Sequence, residues 1–182
     1  LIDLAPALRK VGKLTAQQEE TLLHQAWCGR LEAASSSLDT LRTVWQGLPR
    51  KQRQDPVLLA SYGDRLRRLG ADAEAADLWL EALRKDPSPE LFARLPKLKL
   101  DDYQPMLTLL RKIQDQPGAE AALARVCLLA GQLDEAQRLL EQEVAKAPDA
   151  ALYHALGQVM DKRRLTNKAN EYYRQALQLA DV

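Results

Sequence analysis

The feature that most constrains this chain is a pattern of small and large residues that recurs in units of about 34 residues. It is clearest in three stretches, 56–87, 117–148 and 150–181. In the first of them Gly63 is followed by Ala75, Trp79 and a closing Pro87. Corresponding small and large apolar or aromatic residues stand at the matching positions of the other two, namely Ala124, Ala136, Leu140 and Pro148, and Gly157, Ala169 and Tyr173. Such a pattern predicts stacked units, none of which can bury its apolar face alone.

Each stretch is predicted to contain two helices joined by a short turn. The small residues mark the points where the two helices approach most closely. We expect Trp79 and Tyr173 to fill the space between successive helix pairs. Gly70 and Gly131 fall in the turns, where a backbone angle φ above zero is often required.

This pattern resembles the tetratricopeptide repeat, a helix–turn–helix unit. Two further segments read as degenerate copies: 15–49, in which Trp45 falls in phase with Trp79, and the shortened 88–116. The predicted fold is therefore all-α, a right-handed α-solenoid of about five tetratricopeptide-like helix pairs. We expect the solenoid to form a single domain over residues 1–182.

Composition excludes several classes of function. Lys and Arg number 26 against 25 Asp and Glu, so no overall field points to nucleic acid or a membrane surface. No apolar run reaches the length of a membrane span. Cys28 and Cys127 are far apart and fit two thiols in a reduced compartment. The chain opens with Leu1 rather than Met, so we expect it to be a piece of a longer protein.

No catalytic residue is predicted. The two histidines, His24 and His154, belong to the first and last helix pairs and should not meet. No Cys, His or Asp spacing indicates a metal site, and no glycine-rich phosphate loop or nucleophile elbow is present. The fragment is therefore expected not to be an enzyme and to hold no metal.

Binding is the function that such a stack favours, because the first helix of each unit lines a concave groove. The predicted groove residues are Asp64, Arg67, Arg68, Arg125, His154, Gln158 and Asp161. Some tetratricopeptide domains clamp a terminal carboxylate with Lys and Asn, and neither residue stands at those positions here. We instead expect an extended or helical peptide, with the arginines pairing with acidic side chains or with porphyrin propionates.

Other motifs resemble the HemY family. They are "LAPALRKVGKL" (4–14) and "WQGLPRKQRQDPVLLASYGDRLRRLG" (45–70). The most characteristic part is the segment Trp45–Arg50, which precedes a repeat. HemY proteins are bacterial inner-membrane proteins in which hydrophobic segments precede a tetratricopeptide region, and they are linked to late haem biosynthesis. The resemblance implies a scaffold for haem-pathway enzymes on the cytoplasmic side, tethered by segments outside this fragment. It transfers no catalytic residue.

The residues leave three hypotheses open. The first is a protein-interaction scaffold that binds a partner in the groove without a cofactor. The second is a tetrapyrrole-binding module for haem or porphyrin, with His154 as axial ligand. The third is a tetratricopeptide adaptor of an unrelated pathway.

Overall fold

The structure is a computed structural model that describes residue 2 and residues 4–180 of the chain. The described residues contain helices and no β-strand, which confirms the all-α prediction. Two 3₁₀ turns, Gln52–Gln54 and Leu95–Lys97, join the helices. The α-helices are α1 (Leu4–Lys10), α2 (Ala16–Ala33), α3 (Leu38–Gln46), α4 (Pro56–Arg68), α5 (Asp72–Lys85), α6 (Pro89–Phe92), α7 (Gln104–Lys112), α8 (Ala119–Leu129), α9 (Leu133–Lys146), α10 (Ala150–Lys162) and α11 (Thr166–Ala180).

These helices form two compact units, Leu1–Lys85 and Asp86–Val182. In the first unit α4 packs against α5 and against α2. In the second unit α8 packs on α9, α9 on α10, and α10 on α11. Neighbours in sequence are therefore neighbours in space within each unit. The assignment of residues 1–182 to one domain stays a prediction.

Aspartates fix where two of the first helices begin. The Asp55 carboxylate accepts hydrogen bonds from the backbone N–H groups of Val57, at 2.9 Å, and Leu58, at 3.1 Å. Asp149 accepts one from the N–H of Ala151 at 2.7 Å. Each carboxylate satisfies N–H groups that have no partner within the helix, and it thereby stabilises the first turn of α4 or of α10.

The turns inside three helix pairs share a left-handed backbone residue. Gly70 has a φ of 78° and Gly131 a φ of 75°, which confirms the prediction for these glycines. The third pair has Arg164 at the matching position, with a φ of 61°. The turn geometry is therefore kept in the last pair although a side chain makes that conformation costlier there.

Large aromatic rings lie directly on the glycines of two first helices. A Cβ atom built on Gly63 would lie 2.3 Å from Cε2 of Trp79, and one on Gly157 would lie 2.3 Å from Cε1 of Tyr173. Trp79 is fully buried, and its Nε1–H donates to the carbonyl of Leu59 at 2.9 Å. Each ring thus packs on the glycine of its own helix pair, whereas the sequence pattern predicted that it fills the space between successive pairs. Only a residue without a side chain lets α4 and α5, or α10 and α11, come this close.

The degenerate segment 15–49 is joined to α4 and α5 through an aromatic stack and an ion pair. The rings of Trp45 and Tyr62 are 4.3 Å apart between centroids and nearly parallel. Arg42 donates to the Glu74 carboxylate at 2.6 Å and holds the pKa of that carboxyl below its usual range. Trp45 thus packs this degenerate repeat against α4.

The shortened segment begins the second unit with very little regular helix. α6 has 4 residues and is followed by the Leu95–Lys97 turn. Phe92, Leu95 and Leu98 are nevertheless almost completely buried. Because these apolar side chains anchor the turn, the neighbouring Lys97 is held in a defined place at the surface.

We expect Gly63→Ala to destabilise the protein by about 2 kcal/mol, because the added methyl would overpack against a buried ring that has no room to move. Gly29→Ala in α2 is the matched control, since a Cβ there meets nothing within 4 Å. That change should stabilise the chain by about 0.5–1 kcal/mol through helix propensity. Urea unfolding followed by circular dichroism measures both. Equal effects of the two substitutions would contradict the close-contact interpretation.

Candidate functional site

A groove of about 770 Å³ lies in the second unit. The turn after α6 forms one end, α8 and α10 contribute their exposed faces, and one face of α11 completes the wall. It is therefore built largely from the first helices of successive pairs, as the repeat pattern predicts for a binding surface.

Small and aliphatic side chains form the floor of this groove. Ala151 and Ala155 of α10 line it, and alanines leave space above the helix backbone. Leu129 at the end of α8 is 39% exposed and Leu177 of α11 is 64% exposed. These leucines offer apolar surface to a ligand, and burying such surface is the main favourable term in association.

Basic side chains, and no acidic ones, surround the floor among the described residues. Arg125, Lys97 and His154 line the groove, and no Asp or Glu does so among the described residues. His154 is exposed, with its ring 5.5 Å from that of Tyr173 between centroids. Gln158, one turn further along α10, adds a neutral amide. The groove is therefore suited to a ligand that is apolar on one side and acidic at its edge.

Arg125 differs from Arg111 and Arg163 of this unit because no carboxylate among the described residues binds its guanidinium. Its Nε is buried without a hydrogen-bond partner, and the guanidinium makes no ion pair or hydrogen bond within residues 4–180. By contrast, Arg111 binds Glu135 at 2.7 Å and Arg163 binds Asp134. A guanidinium that is partly removed from water and left without a partner is the natural receptor for a carboxylate.

Tyr173 connects the packing of the last helix pair to the groove. One part of its ring lies on Gly157, and the ring also lines the groove wall. Its hydroxyl donates to Oδ2 of Asp161 at 2.6 Å. Burial of the phenol, and then this hydrogen bond, raise the pKa of Tyr173 to about 12. The phenol is therefore neutral, with its proton committed to Asp161.

The structure brings only some of the predicted groove residues together. Arg125, His154 and Gln158 share the groove of the second unit, whereas Asp161 does not line it and instead binds Tyr173. The sequence pattern did not predict Lys97 or Tyr173 as groove residues. Lys97 lies in a degenerate segment without a readable register, and Tyr173 occupies a position that the repeat pattern assigns to packing alone.

The other predicted residues lie on α4 in the first unit. Asp64 and Arg67 are one turn apart, with 3.9 Å between Oδ1 and Nε, and Arg68 is exposed. Their role in partner binding stays a prediction. The same unit brings His24 beside Asp55 and Glu20, a juxtaposition that sequence spacing did not predict because Asp55 comes from another part of the chain.

Two further observations concern the length of the helices and the chemistry of a cysteine. Within the part of the chain that the structure describes, no helix is both long and apolar enough to cross a bilayer. Cys127 is buried, and that burial raises the pKa of its thiol to about 12. At neutral pH this side chain is a protonated thiol packed in the core and not a nucleophile.

Known proteins resemble this chain in sequence and in fold. No protein-family model matches it. Protein HemY of Escherichia coli strain K12 and Protein HemY of Shigella flexneri are each 23% identical to it over 185 residues. The matches cover 98% of this chain and 46% of each relative, so the chain spans about half the length of these curated relatives. They confirm the resemblance to HemY that the motifs indicated.

The fold is similar to that of a solved MamA structure, "MamA MSR-1 C2", with a TM-score of 0.51 and 13% sequence identity. The match covers 89% of this chain and 97% of the MamA chain. MamA is a helical solenoid of tetratricopeptide repeats. This likeness confirms the predicted fold class.

We expect Asp161→Asn to lower the pKa of Tyr173 from about 12 toward the ordinary value of about 10. The substitution removes the negative charge that disfavours the phenolate, while the burial of the ring remains. NMR titration of the Tyr173 ring measures the change. Asp134→Asn, which alters a carboxylate bound to Arg163, should leave this pKa unchanged. A Tyr173 pKa that does not fall in Asp161→Asn would contradict the assignment.

Proposed function

We propose that this chain is a non-catalytic scaffold whose second unit binds an acidic, amphipathic helical segment of a partner protein. The observation that carries the proposal is the unpartnered Arg125 in an apolar groove without carboxylates among the described residues. A carboxylate from the partner would supply the hydrogen bonds that the guanidinium lacks. Lys97 and His154 would accommodate further acidic or polar groups at the edge.

The shape and chemistry of the groove support a helical ligand. An amphipathic helix binds by laying its apolar face into a groove, with anchors at every third or fourth residue. The exposed Leu129 and Leu177 supply apolar surface for such anchors. Arginine is enriched among the residues that dominate binding energy at interfaces, and Arg125, with its buried Nε, fits that role.

The likeness to HemY supports a cellular setting for this scaffold. We place the parent protein at the bacterial inner membrane, in support of haem or porphyrin biosynthesis, with the domain on the cytoplasmic side and haem-pathway enzymes as candidate partners. The membrane attachment would come from segments outside this fragment. The competing assignment, an adaptor of an unrelated pathway, would use the same groove with a different partner.

We expect Arg125→Glu to reduce partner capture about thirtyfold or more, because a buried interfacial charge contact contributes about 2 kcal/mol or more. The measurement is a pull-down from solubilised bacterial membranes and cytosol with the wild-type chain as bait, quantified by mass spectrometry. Arg138→Glu is the control, since Arg138 is exposed on α9 and hydrogen-bonds only Gln142 among the described residues.

The proteins of interest are those lost with Arg125→Glu and kept with Arg138→Glu. Captured haem-pathway enzymes would support the cellular setting, and partners from another pathway would support the adaptor. Capture that is equal for both variants would contradict the groove assignment, provided that circular dichroism shows both variants folded.

A tetrapyrrole is the second candidate ligand, and the groove contains the groups it would use. Its volume falls in the range of about 300–1,000 Å³ that is typical of small-molecule sites. The exposed His154 offers an imidazole for haem iron, and Arg125 and Lys97 offer partners for propionates. This module would carry haem or porphyrin as ligand and would not act as an enzyme.

On the tetrapyrrole hypothesis, titration of the wild-type chain with haem should shift the Soret band. His154→Ala should abolish that shift because it removes the axial ligand, whereas His24→Ala in the first unit should retain it. The absence of a shift in the wild-type chain would exclude this candidate and would leave the scaffold proposal standing.

A further inference from the structure

Three side chains of the first unit converge where the N-terminal half of α2 lies beside the start of α4. Glu20 and His24 lie one turn apart on the same face of α2, and Asp55 caps the start of α4. One ligand atom of each residue lies within 4.8 Å of the others. Nε2 of His24 is 2.8 Å from Oδ2 of Asp55. An imidazole and two carboxylates thus face a common point.

The backbone holds the Asp55 carboxylate in place. Its Oδ1 accepts hydrogen bonds from the N–H groups of Val57 and Leu58, so the capping role occupies one oxygen. The other oxygen, Oδ2, is the one that lies beside His24. Groups behind a ligand that fix its orientation in this way are typical of metal sites.

No lysine or arginine in the described part of the chain neutralises the two carboxylates of this cluster. Neither Glu20 nor Asp55 pairs with a lysine or arginine among the described residues, and Glu20 makes no hydrogen bond there. The neighbouring Glu19 differs, since Arg9 binds it at 2.7 Å. A bound cation would neutralise the negative charge of these two carboxylates.

We infer that Glu20, His24 and Asp55 bind a divalent transition metal ion, with Zn²⁺ as the best match. Imidazole nitrogen combined with carboxylate oxygen suits zinc, whereas calcium and magnesium prefer oxygen ligands alone. Zn–N and Zn–O bonds are about 2.0–2.2 Å long, and three protein ligands with one water complete a tetrahedron. Such ligands lie about 3.4 Å apart, so only the exposed and unpartnered Glu20 side chain needs a sizeable adjustment.

A metal ion at this position would cross-link the first helices of two neighbouring helix pairs. α2 and α4 already pack against each other, and the ion would join them through side chains from both. Because the three ligands converge only in the folded chain, metal binding would stabilise the first unit. The groove lies in the second unit, so failure of one proposal does not affect the other.

The test compares thermal unfolding of the full chain with ZnCl₂, with MgCl₂ and without added metal. We expect the wild-type Tm to rise with Zn²⁺ and not with Mg²⁺. Glu20→Gln, His24→Gln and Asp55→Asn should each weaken Zn²⁺ binding at least tenfold in calorimetric titration. Asn retains the helix-capping role of Asp55, so Asp55→Asn should remain folded. Co²⁺ should give a visible absorption band in the wild-type chain and lose it in His24→Gln.

The matched control is His154→Gln, which removes the other histidine of the chain. It should bind Zn²⁺ as the wild-type chain does. The inference is overturned if Zn²⁺ does not bind the wild-type chain, or if His24→Gln retains binding of wild-type strength. An equal Tm rise with Mg²⁺ would overturn the assignment to a transition metal.

Discussion

The structure depends on how closely two helices can approach when one of them carries no side chain at the crossing point. Gly63 lets the ring of Trp79 lie on the backbone of α4, and Gly157 does the same for Tyr173 on α10. The indole N–H of Trp79 also bonds the Leu59 carbonyl, one turn before Gly63. This contact sets the spacing within each pair, and that spacing determines where the outer faces of the first helices lie.

The middle pair reaches a similar end with different residues. Ala124 and Leu140 stand at the register positions that Gly157 and Tyr173 occupy in the last pair, and both are fully buried. Relative to the last pair, the first of these positions gains a methyl group and the second loses an aromatic ring. Because a core tolerates exchanges that conserve its total volume, such paired changes in size are compatible with the same packing of two helices.

Sequence reasoning predicted the features that a repeating register determines and missed those that depend on irregular or distant contacts. The positions of Arg125 and His154 on first helices placed them in the groove, because the side-chain direction on a helix depends on its period. Lys97 could not be placed, since it depends on an irregular turn anchored by buried leucines. The proximity of His24 and Asp55 was also hidden, because it arises from the packing of α2 on α4 and not from local spacing.

The position of Tyr173 links binding to the integrity of the last helix pair. The same ring holds α10 close to α11 and forms part of the groove wall, with its hydroxyl tied to Asp161. Unlike the enclosed Trp79, this ring is only half-buried, so one of its sides is left to solvent. A ligand in the groove would cover that side and would thereby stabilise the packing of α10 against α11. If the groove binds a ligand as proposed, occupancy of the groove and the stability of the last helix pair would be coupled, because the ligand would bury the side of Tyr173 that now faces solvent.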